Sequence, residues 1–401
     1  MASVPNDYVY LDYAATAPLC EEAAEAMAPY QVPGRANLAV GGNANSLHGP
    51  GRAAFAALEE ARRSIARDLG ARRPDGIVFT SGATEADDAA LLGIAQAAAD
   101  ERRRRGAGDF VPHVVVTAVE HDAVLAPAKR LESQGFRVTR LAPNRQGFIE
   151  ERALEAALDA DTVLVSVQAA NSEVGSIQPI ADLARVAHDH AALFHTDAVQ
   201  ALGKARVNLQ ELNVDAASFS AHKVGGPKGV GALYLRARTP FHAYAIGGGQ
   251  EGGRRSGTQN VAGIVGFAAA VHAATAMQEA EAARLRVLRD RLYERLGAID
   301  AVEATVDVVP GSEDFLPNIV HVLVDGLESE TLILRFDMQG FGVSGGSACS
   351  SHSLEPSHVL GSLGIDADRA HGALRISMGR YTDEADVEAF AVAMEKSLNW
   401  N

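Results

Sequence analysis

A lysine that follows a strand-like run and precedes a glycine-rich turn is well set for carbonyl chemistry. Lys223 has that setting: Ser218-Phe219-Ser220-Ala221-His222-Lys223 leads into Gly225-Gly226-Pro227-Lys228-Gly229. An amine there reaches the space above a sheet and condenses with an aldehyde. The other lysines, Lys129, Lys204, Lys228 and Lys396, have poorer settings. Asp197 ends the run Leu193 to Asp197, where a carboxylate keeps a pyridine nitrogen protonated, and Gln200, three residues on, can hydrogen-bond a phenolic oxygen. His121 follows another strand-like run, so its imidazole can stack on a ring and relay a proton. Ile77-Val78-Phe79-Thr80 runs into Ser81-Gly82-Ala83-Thr84-Glu85 at the head of a helical pattern. Backbone N–H groups and the positive end of the helix dipole attract an anion at such a point. Together these groups suit pyridoxal 5'-phosphate, which offers an aldehyde, a ring nitrogen and a phosphate. Taken singly, each has an ordinary explanation: a helix cap for the Ser81 loop and for Asp197, a solvated surface for Lys223, a structural imidazole for His121.

That cofactor serves many reactions, so the rest of the chemistry turns on a nucleophile. The two cysteines are Cys20 and Cys349. Two are too few for a disulfide framework, and thiols in a reducing, cytoplasmic compartment are expected. Cys349 lies in Ser344 to Ser353, a small, polar, glycine-containing stretch that reads as an exposed loop, where a thiolate can attack. Cys20, beside Leu19 and ahead of a helical Glu21 to Met27 pattern, reads as a small buried hydrophobe.

Elements able to hold these residues alternate along the chain. Strand runs are expected at Gly76 to Thr80, His113 to Ala118, Arg137 to Leu141, Thr162 to Val167, Leu193 to Asp197, Ala217 to Ser220 and Gly231 to Leu235, with helical patterns between them. This predicts an α/β fold with a mainly parallel, seven-stranded sheet whose strand ends carry the chemistry. An amphipathic stretch from Val261 to Leu296 reads as a helix bridging to a smaller α+β domain. In that domain Ile319 to Val324, Ser329 to Met338, Phe341 to Val343 and Leu374 to Met378 are expected elements, and Thr382 is expected to cap a terminal helix. The division predicted is 20–262 for the large domain, with 1–19 and 263–401 forming the small domain that carries the Cys349 loop.

The 401 residues are 47% hydrophobic and carry a formal charge of -15, which opposes general attraction to nucleic-acid phosphate or anionic lipid. No direct nucleic-acid or membrane role is expected. The basic run Arg102 to Arg105 reads as a solvated helix end. The first residues, Met1 to Asp7, lack an apolar segment, and no uninterrupted apolar run of bilayer length is expected.

The ordered motifs resemble those of the cysteine desulfurases of NifS/IscS type, class V aminotransferases within the fold-type I pyridoxal-phosphate enzymes. The resemblance runs over nearly the whole chain. It covers Tyr10-Leu11-Asp12-Tyr13-Ala14-Ala15-Thr16-Ala17-Pro18, Asn43 to His48, Ser81 to Glu85, Glu120-His121, Asp197 to Gln200, Ser220 to Lys223, Arg255 to Thr258, Ser344 to Cys349 and Leu374 to Ser377. It implies that Lys223 holds the cofactor covalently and that Ala83, Thr84, Ser220 and His222 hold its phosphate. His121 then stacks on the ring, Asp197 and Gln200 meet its nitrogen and oxygen, and Arg375 and Asn43 bind L-cysteine. Cys349 takes the substrate sulfur as a persulfide, leaving L-alanine. A homodimer is implied in which Thr258 reaches the neighbouring subunit's phosphate, together with a sulfur-acceptor protein for iron–sulfur cluster assembly or another thiolation pathway. A selenocysteine lyase, another class V aminotransferase and a non-catalytic desulfurase-like partner are the alternatives.

Two departures stand out. The family's Asn-Asn-Glu reads Asn171-Ser172-Glu173 here, which puts Ser172 at the cofactor-contacting place. Only about twenty residues follow Thr382, fewer than in IscS-type members whose tail docks an iron–sulfur scaffold, so a differently docked acceptor is expected.

Overall fold

A computed structural model describes residues 7–106, 110–346 and 357–400. Its large sheet has, among the described residues, seven strands: β2 (Ile77–Thr80), β3 (His113–Thr117), β4 (Arg137–Leu141), β5 (Thr162–Ser166), β6 (Leu193–Asp197), β7 (Ala216–Ser220) and β8 (Gly231–Leu235). They lie in the order β2-β8-β7-β6-β5-β3-β4. The pairs from β7 through β6, β5 and β3 to β4 are parallel, and β8 runs antiparallel to both β7 and β2. Runs such as Val114-Val115-Val116 form strands because branched side chains suit a pleat buried on both faces, and those faces fill two cores. β6 and β7 end at Asp197 and Ser220, and β3 stops four residues before His121. One edge of the sheet thus delivers three of the expected site residues.

A glycine allows the loop after β2 to join them. At Gly231, the first residue of β8, an added Cβ would lie 2.6 Å from the Gly82 carbonyl carbon and 2.6 Å from the Phe219 oxygen. Any side chain there would push the Ser81–Thr84 loop off the sheet.

The helix Val261–Gly297 joins two cores. Ile264, Phe267, Ala268 and Val271 pack into the large-sheet core, whereas Leu285, Leu288, Leu292 and Leu296 pack into the second. By length and composition this helix could cross a membrane, contrary to the expectation of no such run, but the apolar residues just named are engaged in these two cores. The boundary expected at 262 falls one residue inside the helix.

The second core sits on an antiparallel sheet in the order β12 (Ala373–Ser377), β10 (Ile319–Val324), β9 (Val302–Ala304). Beside it, β1 (Val9–Tyr10) pairs in parallel with β11 (Phe341–Gly342). The N-terminal segment therefore belongs to this layer before crossing to the large sheet, where Ala14 is part of the core.

Two local expectations need correction. The terminal helix Glu384–Leu398 is capped by Asp383, not Thr382: Asp383 accepts from Asp386 N–H, and the Asp386 carboxylate accepts from Asp383 N–H. Thr382 is buried and accepts from Gly379 N–H instead. Arg102 is not simply solvated, because its guanidinium donates to the carbonyls of Ala160, Thr162 and Ala191 and pins the helix end to the sheet.

Candidate active site

Where the strand ends converge there is a cavity of about 450 Å³. Of the expected residues, Ala83, Thr84, His121, Ser172, Asp197, Gln200, Ser220, His222, Lys223 and Arg375 line it. Asn43 and Thr258 do not. The Asn43 side chain accepts from Asn45 N–H on the exposed surface. Thr258 lines a separate hollow of about 110 Å³ behind the Ser81 loop, with Arg255 and Gly229. Cys349 lies outside the described residues; Gly346 and Ser357, on either side of its segment, both meet Glu173. Ser357 Oγ donates to Glu173 Oε2 at 2.7 Å, and a Cβ on Gly346 would come within 3.0 Å of the same oxygen.

Lys223 Nζ donates to the carbonyls of Ala14 (2.6 Å) and Ala15 (2.8 Å), so the N-terminal segment fixes the amine in the cavity. Asp197 Oδ1 accepts from Val199 N–H at 2.9 Å. Burial pushes the Asp197 carboxyl upward, while His121 and Lys223 favour its charged form. Near it lie three further ionisable groups, Asp87, Glu120 and His195, to which no chemical role was assigned from sequence. Asp87 is fully buried, with His195 Nε2 3.6 Å from its Oδ1. Burial and then the charge of Asp197 push Asp87 well up, which favours its neutral form. Glu120 accepts from Thr117 Oγ1 and Gln168 N–H, yet burial raises it to about 8. His195 bridges Ser166 and Ser218 and is held neutral by burial, at about 3. Asp87 and Asp197 both line the cavity, and of the two Asp197 is the one whose charged form His121 and Lys223 favour.

His121 Nδ1 accepts from Ala123 N–H at 3.0 Å, so a neutral ring carries its proton on Nε2. His222 Nδ1 pairs with Thr16 Oγ1 at 3.1 Å; burial first, then Lys223 and Lys228, lowers it to about 4, leaving a neutral ring. Together with the Ser81–Thr84 loop, Ser220 and Lys228, it forms an anion-seeking corner of the cavity. At the opposite side Asn171 is buried and accepts from the N–H groups of Glu173 and Val174, which turns it into the fold and leaves Ser172 on the cavity wall. Arg375 donates to Ser172 O and Asp12 Oδ1, both at 2.9 Å, and its buried Nε has no partner among the described residues. An amine for an aldehyde, a carboxylate for a ring nitrogen, a corner for a phosphate and a buried guanidinium for a carboxylate are what a pyridoxal-phosphate enzyme acting on an amino acid requires.

The comparisons with known proteins agree with this inventory. The family model "Aminotransferase class-V" matches residues 9–390. Cysteine desulfurase IscS of Dictyoglomus turgidum is 42% identical over 390 residues, spanning 97% of this chain and 94% of that protein. Among solved structures, a NifS-like protein superposes with a TM-score of 0.87 at 36% identity, covering 98% of this chain and 100% of the other. SspA in complex with cysteine superposes with a TM-score of 0.76 at 33% identity, covering 94% and 100%. Sequence likeness over nearly its full length, and a cavity furnished for an amino acid bound to an aldehyde cofactor, show that the chain belongs to the class V aminotransferases and, within them, to the NifS/IscS-type cysteine desulfurases.

Proposed function

We propose that the chain converts L-cysteine to L-alanine by moving the substrate sulfur onto Cys349. The convergence of Lys223, Asp197 and Arg375 on one cavity carries the reading. Pyridoxal 5'-phosphate, when bound, supplies an electron sink at the amino-acid α-carbon. Lys223 would anchor it, Asp197 would meet its ring nitrogen and Gln200 its ring oxygen, His121 would stack on the ring, and Ala83, Thr84, Ser220 and His222 would hold the phosphate. Ser172 stands where the family has asparagine and offers a shorter hydroxyl.

Arg375 binds the substrate carboxylate through its guanidinium and so fixes which bond at the α-carbon is aligned for reaction. Asn43, on the exposed loop, joins the substrate site only if that loop is turned inward. The Lys223 amine, directed into the cavity by the Ala14 and Ala15 carbonyls, would carry the α-proton. The Cys349 thiolate then attacks the substrate sulfur. The new S–S bond replaces the substrate C–S bond, Cys349 becomes a persulfide, and the carbon that lost sulfur gains a proton, giving alanine. His121, whose neutral ring carries its proton on Nε2, would act as a proton donor to the substrate. A sulfur-acceptor protein then takes the outer sulfur.

A homodimer fits the surface around Thr258. Asn45 donates to Gln259 at 3.0 Å, joining the Asn43 loop to the Thr258 loop. Large apolar side chains stand exposed on the segments around these loops, Leu47 at 91% and Ile246 at 87%, together with Leu38 and Phe55. Apolar surface of this kind is covered in an assembly, and a second copy would bring Thr258 to its neighbour's phosphate corner.

The test is alanine and sulfide production from L-cysteine with a reducing thiol present, wild type beside Cys349→Ala. Wild type is expected to make both products and the variant neither while keeping its visible cofactor absorption. Equal rates in the two would refute transfer through Cys349.

A further inference from the structure

Gln200 has two neighbours in the structure, one at each end of its amide. Its Nε2 donates to Ala14 O at 3.0 Å, the same carbonyl that receives Lys223 Nζ, and its Oε1 accepts from Lys204 Nζ at 3.2 Å. An ammonium has donors only and a backbone carbonyl has only acceptors, so the two contacts agree on one orientation of the amide. Flipping it would set oxygen against oxygen at Ala14 whatever the state of Lys204, and N–H against N–H at a protonated Lys204.

Lys204 is itself held in place. Gly203 before it has φ +74, and a Cβ there would come 2.9 Å from Ala274 Cβ on the long helix. From that helix, Gln278 Nε2 donates to Lys204 O at 3.2 Å. The side chain does not line the large cavity. It lines a second, mainly apolar one of about 120 Å³ on the other side of Lys223, shared with Tyr13, Glu281, Arg380 and Tyr381. Burial, and then the positive charges of Lys223 and Arg375, bring its amine down to about 7. Protonated or neutral, the amine still has an N–H to donate.

We propose that Lys204 is a positioning residue for Gln200, holding the side-chain carbonyl away from the large cavity so that the amide N–H faces the cofactor's ring oxygen. The inference rests on the reading that pyridoxal phosphate occupies that cavity. An N–H aimed at the ring oxygen stabilises its negative charge when the neighbouring nitrogen loses its proton, and so lowers the pH of that change. A carbonyl turned there raises it.

The test is a pH titration of the visible absorbance of protein loaded with pyridoxal 5'-phosphate. Lys204→Met, close in shape, is expected to move the transition upward by about half to one pH unit, the size of one hydrogen bond. Loss of the lysine charge alone would act in the same direction, so the same substitution is also made in a Gln200→Ala background. If Lys204 acts through Gln200, no further shift appears there, and Lys204→Arg in the native background stays near wild type. An unshifted transition in Lys204→Met, or an equal shift in both backgrounds, overturns the inference alone. A wild-type protein that takes up no cofactor overturns the cofactor reading and the inference with it.

Discussion

The two walls of the cavity are built on different principles. The large-sheet wall places Asp197, Ser220 and Lys223 on or just after neighbouring strands whose register fixes their spacing, and backs them with buried Asp87, Glu120 and His195. The opposite wall depends on one residue, Arg375, from a three-stranded sheet in another core, tied across the cavity by Ser172 O and Asp12. The first arrangement suits a permanent occupant, because it has no freedom to adapt. The second suits a transient one, since a substrate carboxylate can join or replace the contacts of a single guanidinium.

This contrast can be broken from either side. Lys223→Ala should remove covalent cofactor attachment and the proton carrier together, lowering alanine formation by at least about 10²–10⁴-fold, with the visible band lost. Asp197→Asn should leave the fold intact and cost about 10²-fold or more in turnover, because the ring nitrogen loses the charge that faces it. Steady-state rates on cofactor-saturated protein check this. Arg375→Lys should act on the substrate side instead. Without the planar fork, KM for L-cysteine should rise about tenfold or more while the absorbance of the resting enzyme is unchanged. A changed resting spectrum would mean that the two walls are not separate in function.

The smallest effect concerns the floor. Burial raises Glu120 from an ordinary 4.5 to about 8. Between those values the unfolded chain has released this proton and the folded chain keeps it, so this group's contribution to stability falls as pH rises through that window. Glu120→Gln should therefore gain in Tm relative to wild type as pH is taken from 5 to 8. A gap that does not change with pH would show that Glu120 is ionised in the fold.

How far the sequence carried the account follows the same division. The large sheet was legible to within about a residue, because β-branched runs such as Val114 to Val116 signal a strand wherever they stand. The strand-end residues that line the cavity could be located for the same reason. The terminal cap was misjudged between adjacent residues: both Thr382 and Asp383 can cap, but only Asp383 has a carboxylate three residues on, at Asp386, whereas Thr382 has Ala385. The surroundings of Asp87 and Lys204 were not legible because they come from burial and from contacts the fold makes, Asp197 and His195 for one, Gln200 and the helix at Gln278 for the other. Neither leaves a local pattern.

The most direct test of sulfur transfer is a single turnover without reductant. Cofactor-loaded protein is mixed with excess L-cysteine, and the first burst of alanine is compared with the sulfane sulfur found on Cys349 by peptide mass analysis. The account predicts about one alanine for each sulfur on Cys349 and none in Cys349→Ala; a full burst of alanine with Cys349 unmodified would contradict it.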